Sequence, residues 1–134
     1  MTGTTTAPPV QALATRVVRS PPPPGTALLA LADLPEGECV EWQPAAPMRA
    51  AGLLLRRQGS HVQAYINLCP HFALPLNTPG AGFLAAGPAS VMCVHHCAVF
   101  RYSDGLCIEG PAAGRSLASI PVSVIDGVVY AAAS

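Results

Sequence analysis

Turn-forming residues divide this chain into short pieces, and no other feature constrains its fold as strongly. The 134 residues include 12 Gly and 15 Pro, and from Thr26 onward these interrupt the apolar runs roughly every eight to twelve residues. No apolar run has the length and spacing that predict a helix. Because a strand needs only a few residues between turns, the pattern predicts an all-β domain of many short strands.

The candidate strands are short segments rich in apolar and β-branched residues. Alternation along Val62–Asn67 predicts a strand with one buried face and one wetter face. Asp104-Gly105 and Asp126-Gly127 predict tight hairpin turns, whereas the aperiodic stretch Pro70–Pro88 is predicted to be loop. The strand candidates are Ala27–Leu31, Cys39–Gln43, Ala51–Arg57, Val62–Asn67, Ser90–Cys93, Val99–Tyr102, Leu106–Ile108, Leu117–Pro121 and Val122–Ala131.

The length of the chain predicts one folded domain, which we place at residues 26–134. Residues 1–25 are rich in Thr, Ala and Pro and end in Pro21 to Pro24, which predicts a disordered Pro-rich N-terminal arm. A Pro-rich docking segment for an aromatic groove is the alternative interpretation of this arm.

Charge and hydropathy exclude several partner classes. Basic and acidic side chains number seven each, so no basic field attracts nucleic acid or anionic lipid. No run approaches the ~18 apolar residues of a membrane span. The N-terminal segment also lacks the basic start and continuous apolar stretch of a secretory signal. We therefore expect a cytoplasmic protein without a membrane span.

The cysteines and histidines carry the chemistry. Five cysteines, an odd number, fit ligation better than a disulfide framework. Cys69 and His71 share one short loop, and Cys93 and His96 share another. Two sulfur and two nitrogen ligands suit either a tetrahedral zinc ion or a [2Fe–2S] cluster. Ligand type alone leaves both open.

The surrounding sequence resembles one known family. Residues 93–100, Cys-Val-His-His-Cys-Ala-Val-Phe, and residues 104–111, Asp-Gly-Leu-Cys-Ile-Glu-Gly-Pro, are similar to the second half of Rieske domains. Residues 64–71, Ala-Tyr-Ile-Asn-Leu-Cys-Pro-His, resemble the strand that delivers the first ligand pair in Rieske ferredoxins. The resemblance covers roughly residues 35–131. It implies a β sandwich or incomplete barrel with a small rubredoxin-like cluster-binding subdomain at about residues 68–105.

The resemblance also implies a function. Cys69 and Cys93 would bind the inner iron, and His71 and His96 the outer iron near the surface. The chain would carry one electron at a time between a reductase and an oxygenase or other oxidoreductase, docking through an apolar rim of Phe72, Leu74, Pro75 and Leu76. A Rieske subunit of a larger oxidoreductase complex and a zinc-stabilised interaction module are the alternatives. No catalytic constellation of the chain's own is evident.

Departures from the family pattern refine these expectations. The positions of a second cysteine pair found in high-potential relatives match Leu74 and His95, and the hydroxyl-bearing positions match Ala98 and Phe100. Fewer hydrogen bonds to the cluster predict a potential near the low end of roughly −150 to +300 mV. Cys97 replaces a usual Gly and is predicted to be a small buried residue, with a redox-active thiol or alternative ligand as the other interpretations. His95 is predicted to pack beside the cluster.

Overall fold

A computed structural model describes residues 21–44, 52–70, 74–78, 82–95 and 97–133. The all-β prediction is confirmed, since the described residues form eleven strands and one short 3-10 helix, Leu31–Asp33. None of the described residues belong to a helix long and apolar enough to cross a membrane. The strands are β1 Ala27–Ala30, β2 Cys39–Trp42, β3 Leu53–Gln58, β4 His61–Ile66, β5 Leu84–Ala85, β6 Ser90–Met92, β7 Val99–Arg101, β8 Cys107–Glu109, β9 Ser119–Ile120, β10 Val122–Ile125 and β11 Val128–Ala131.

The strands pair antiparallel in three sheets. The terminal sheet has the order β1-β11-β10, the central sheet β2-β3-β4-β9, and the third sheet β5-β6-β7-β8. Both predicted Asp-Gly turns are present, and Asp126 and Gly127 adopt positive φ angles of 50° and 77° between β10 and β11. Such left-handed angles match the twist of two-residue hairpins.

The central sheet separates two cores. Leu53, Leu54 and Leu55 of β3 are all 0% exposed, and alternate side chains of a strand point to opposite faces. Leu53 and Leu55 pack into the first core, with Leu28 and Val129 of the terminal sheet. Leu54 packs into the second core, with residues of the third sheet. The predicted sandwich is therefore present with a third layer.

Both faces of β4 are buried, whereas the sequence predicts one buried face and one wetter face. Val62, Ala64 and Ile66 pack into the first core as predicted. The opposite face is not wet, because Tyr65 and Asn67 are each 4% exposed. The third sheet covers this face, and Tyr65 belongs to the second core.

Two further expectations change. The stretch Pro70–Pro88 is not all loop, since it contains β5, whose Leu84 and Ala85 pair with Met92 and Val91. Contacts with the domain begin before residue 26, because Pro22 is buried and the Gly25 amide donates a 2.7 Å hydrogen bond to the Ala131 carbonyl. Residues 1–20 lie outside the described residues, so the disordered arm stays a prediction there.

Candidate functional site

The two predicted cysteine ligands each follow the C-terminal end of a strand. Cys69 follows β4 after two residues, and Cys93 follows β6 directly. Their exposed fractions are 2% and 0%, and both belong to the second core. The fold thus places two cysteines that are 24 positions apart in sequence in the same core. His71 and His96 lie outside the described residues.

Both cysteine loops close in the same way. The Cys69 amide donates a 2.7 Å hydrogen bond to the Leu74 carbonyl, and the Cys93 amide donates a 2.8 Å bond to the Ala98 carbonyl. Each bond joins a cysteine to the residue five positions later, so we define the first loop as residues 69–74 and the second loop as residues 93–98. Each predicted histidine ligand falls within a loop that its own cysteine closes.

Further contacts hold the two loops against each other and against the C-terminal part of the chain. The Val94 amide of the second loop donates a 2.9 Å hydrogen bond to the Leu76 carbonyl, just after the first loop. Arg115 donates a 3.2 Å bond from its guanidinium to the Pro70 carbonyl of the first loop. Gly110 packs on the second loop so closely that a Cβ there would lie 2.9 Å from the Ala98 Cα.

Two buried amide side chains support the first loop. The Asn67 Oδ1 atom accepts a 2.9 Å hydrogen bond from the Leu76 amide, and its Nδ2 group donates a 2.8 Å bond to Asn77 Oδ1. Asn77 donates onward to Glu41 at 3.0 Å. The role of these residues was not predicted, because alternation places Asn67 on the wetter face of its strand and Asn77 lies in a stretch predicted to be loop.

Cys97 differs from its prediction. Cys97 is exposed, not buried, and adopts a positive φ of 58°. The loop therefore uses the left-handed backbone that relatives supply with Gly, at a cost of roughly 1–2 kcal/mol for a residue with a Cβ. His95 is exposed, and its packing beside the cluster stays a prediction. Of the predicted docking rim, Leu76 is 0% exposed, so its assignment to the rim is wrong, whereas Leu74 is 42% exposed. Phe72 lies outside the described residues.

The remaining cysteines are structural. Cys107 is buried in the second core, and its thiol donates to the Glu109 carbonyl at 3.1 Å. Burial raises the pKa of the Cys39 thiol to about 11, against smaller opposing effects of a hydrogen bond with Tyr102 and the charge of Arg56. Cys107 lies in the second core and Cys39 packs against it, as predicted from the sequence. Within the described residues no group of three or more His, Cys, Asp or Glu forms a metal site.

Comparison with known proteins decides the family. The sequence model of the Rieske [2Fe-2S] domain matches residues 26–124. This chain belongs to the Rieske [2Fe-2S] domain family. Its cofactor is accordingly a Rieske-type [2Fe–2S] cluster. The resemblance stated from the motifs is confirmed, whereas the family match does not test which residues bind the iron.

Solved structures show the same fold. The terminal oxygenase of carbazole 1,9a-dioxygenase from Novosphingobium sp. KA1 matches with a TM-score of 0.68 and 17% identity, covering 93% of this chain and 33% of that one. Sphingomonas yanoikuyae B1 ferredoxin matches with a TM-score of 0.64 and 21% identity, covering 82% of this chain and 99% of that one. The ferredoxin of carbazole 1,9a-dioxygenase from Nocardioides aromaticivorans IC177 matches with a TM-score of 0.63 and 20% identity, covering 84% of this chain and 100% of that one.

The lengths of these neighbours differ. The chain spans about a third of the oxygenase and nearly the whole of each ferredoxin. No curated protein sequence resembles the chain closely enough to count as a match.

The side chains of the first and second loops fit a Rieske-type cluster. Cys69 and Cys93, both buried in one core, would supply two sulfur donors. Each has a histidine two or three positions later in sequence, which is the mixed sulfur and nitrogen set of this cluster type.

Proposed function

We propose that this chain is a one-electron carrier whose [2Fe–2S] cluster is held by Cys69 and Cys93 on one iron and by His71 and His96 on the other. The observation that carries the proposal is the matched closure of the two loops. Each cysteine amide bonds the carbonyl five residues later, and both cysteines are buried in the same core. Such a pair of loops would allow both thiolates to bind one iron.

The cluster, when bound, supplies a one-electron couple, and the protein controls its surroundings. Replacing two thiolates by neutral imidazoles leaves the cluster less negative, which raises the potential relative to all-cysteine clusters. Ala98 is the last residue of the second loop, Phe100 lies two residues after it, and both are 0% exposed. Neither side chain can donate a hydrogen bond. This supports a potential in the lower part of the Rieske range.

For partners, we propose a reductase as donor and an oxygenase as acceptor. Two ferredoxin neighbours are covered over 99% and 100% of their length. Another neighbour is a structure described as the reduced complex between oxygenase and ferredoxin in carbazole 1,9a-dioxygenase, with a TM-score of 0.67 and 16% identity over 31% of that chain. Docking would centre on exposed Leu74. The odd number of cysteines, five, fits ligation better than a disulfide framework and supports a reducing compartment, the cytoplasm.

A second candidate is a Rieske subunit or domain of a larger oxidoreductase. The oxygenase match favours it, because its TM-score of 0.68 is the higher value although the chain covers 33% of that protein. Molecular mass in solution distinguishes the two. A carrier elutes at the mass of one chain, whereas a subunit co-purifies with larger polypeptides at constant stoichiometry.

The deciding experiment combines composition with spectroscopy. We expect two irons and two acid-labile sulfides per chain, a visible absorption spectrum and an electron-spin signal on reduction. His71→Cys and His96→Cys should each shift the spectrum and lower the potential. His95→Cys is the matched control, since this neighbouring histidine is exposed, and should change neither. A colourless protein containing zinc would instead establish the interaction-module alternative.

A further inference from the structure

A line of hydrogen bonds runs from the central sheet to both cysteine loops. It begins at Glu41 on β2, whose Oε1 atom accepts a 3.0 Å bond from Asn77 Nδ2. Asn77 Oδ1 in turn accepts a 2.8 Å bond from Asn67 Nδ2, and Asn67 Oδ1 accepts a 2.9 Å bond from the Leu76 amide. The Leu76 carbonyl then accepts the 2.9 Å bond from Val94 in the second loop.

Burial makes these bonds costly to break. Asn67 and Asn77 are 4% and 1% exposed, and a buried amide that loses its partner has no water to replace it. In the three side-chain bonds every donor points toward Glu41, so the two amides are polarised in one direction. A carboxylate stands at the accepting end, and a hydrogen bond to a charged group is stronger than one between neutral groups.

Leu76 is the residue through which this line reaches both loops. Its amide is held by Asn67, and its carbonyl holds Val94, which directly follows Cys93. The position of Leu76 relative to the central sheet therefore constrains the backbone two residues after the first loop and at Val94 in the second loop. Neither Asn67 nor Asn77 needs to touch the cluster to affect it.

We propose that Glu41, Asn77 and Asn67 are positioning residues for the cluster, fixing the spacing between the Cys69 and Cys93 loops from outside the ligand set. This inference rests on the proposed function, because it takes those two cysteines as ligands. It goes beyond that function by assigning the retention and the potential of the cluster partly to a carboxylate on β2.

The test measures the rate of iron loss to an excess of chelator and the midpoint potential of the purified, cluster-loaded protein. Asn77→Asp places a second carboxylate against Glu41 and removes the donor between them. We expect iron loss to accelerate about tenfold or more, a change that corresponds to about 1.4 kcal/mol, together with a shifted potential. Asn67→Leu, which removes both side-chain bonds at similar volume, should act in the same direction.

A rescue variant separates positioning from general destabilisation. In Asn77→Asp combined with Glu41→Gln, the new amide donates to the new carboxylate, so the line is restored with its charge moved by one residue. The rate of iron loss should return to within about twofold of the wild-type rate. The midpoint potential should return close to the wild-type value. The matched control combines Asn77→Asp with Glu38→Gln and has the same net charge as the rescue variant. Glu38 is chosen because it is an exposed carboxylate three residues before Glu41. It should not rescue.

The outcomes distinguish this inference from the proposed function. If wild-type protein lacks the cluster spectrum, the proposed function fails first. If wild-type protein carries the cluster and the Asn variants lose only thermal stability, with wild-type rates of iron loss and wild-type potential, the positioning role is wrong. Equal rescue by the Glu41 and Glu38 double variants would also overturn it.

Discussion

The Tyr65 hydroxyl donates a 2.6 Å hydrogen bond to the carbonyl oxygen of Tyr102, 37 residues later. Tyr65 lies on β4, which leads into the first loop, and Tyr102 follows β7, which leads away from the second. Both residues are buried, at 4% and 7% exposed. The strand before one cysteine and the strand after the other are thus joined by a bond between two different sheets.

Replacing this hydroxyl should weaken the whole domain. Tyr65→Phe keeps the ring but leaves the buried Tyr102 carbonyl without its partner, so the free energy of unfolding should fall by about 1–3 kcal/mol. Denaturant unfolding of wild type and variant measures the loss. Tyr130→Phe is the control, because its hydroxyl has no hydrogen-bond partner within the described part of the chain. An equal loss in both variants would contradict the assignment.

Gly110 should be essential for the second loop in a way that Gly114 is not. Both have positive φ, 96° and 88°, but a Cβ at Gly110 would lie 2.9 Å from the Ala98 Cα, while one at Gly114 would have no neighbour within 4 Å. Gly114→Ala should therefore cost only the backbone strain, roughly 1–2 kcal/mol. Gly110→Ala should cost more and reduce iron content, because Ala98 closes the loop. Equal iron content in the two purified variants would refute this prediction.

The Cys97 thiol should be dispensable for the cluster. The residue is exposed with a φ of 58°, so Cys97→Gly should stabilise the protein by roughly 1 kcal/mol through relief of backbone strain. Cys97→Ser retains the strain and should leave stability, iron content and the visible spectrum unchanged. Thermal unfolding with iron analysis checks both. Loss of iron in Cys97→Ser would identify the thiol as a ligand instead.

Alkaline pH should destabilise the fold through Cys39. Burial raises its pKa from the ordinary 9.0 to about 11, so the folded state holds the proton more tightly than the unfolded state. The resulting stability is complete below pH 9 and is lost as the pH rises from about 9 to about 11. The difference in unfolding free energy between wild type and Cys39→Ala should shrink across that range. A constant difference would place the thiol outside the core.

The fold could be predicted where local pattern and tertiary environment agree. Period-two spacing correctly placed Val62, Ala64 and Ile66 in a core, and Asp-Gly located both hairpin turns. The same pattern could not show that Tyr65 and Asn67 are buried too, because alternation separates two faces without revealing what covers each. β5 was missed since its two residues, Leu84 and Ala85, are too few to show any period.

The site could be predicted by chemistry better than by environment. The two buried cysteines were identified from their spacing to histidines and from the family resemblance. The exposure of Cys97 was not predicted, because the residue type alone favours burial. The direction of the Cys97 side chain depends instead on the left-handed backbone at this position. The support from Asn67 and Asn77 could not be predicted either, since it arises from a contact between residues on separate elements.

The leucine triplet of β3 limits how this protein could be altered by evolution or design. A single residue inserted before Leu54 would reverse the faces of the strand beyond it. Side chains that now pack into the second core, beside the cysteines, would point into the first core, and those of the first core would point into the second. Shortening by one would do the same. Redesign of either half must therefore preserve the length of this strand, even where every individual leucine tolerates exchange for another apolar residue.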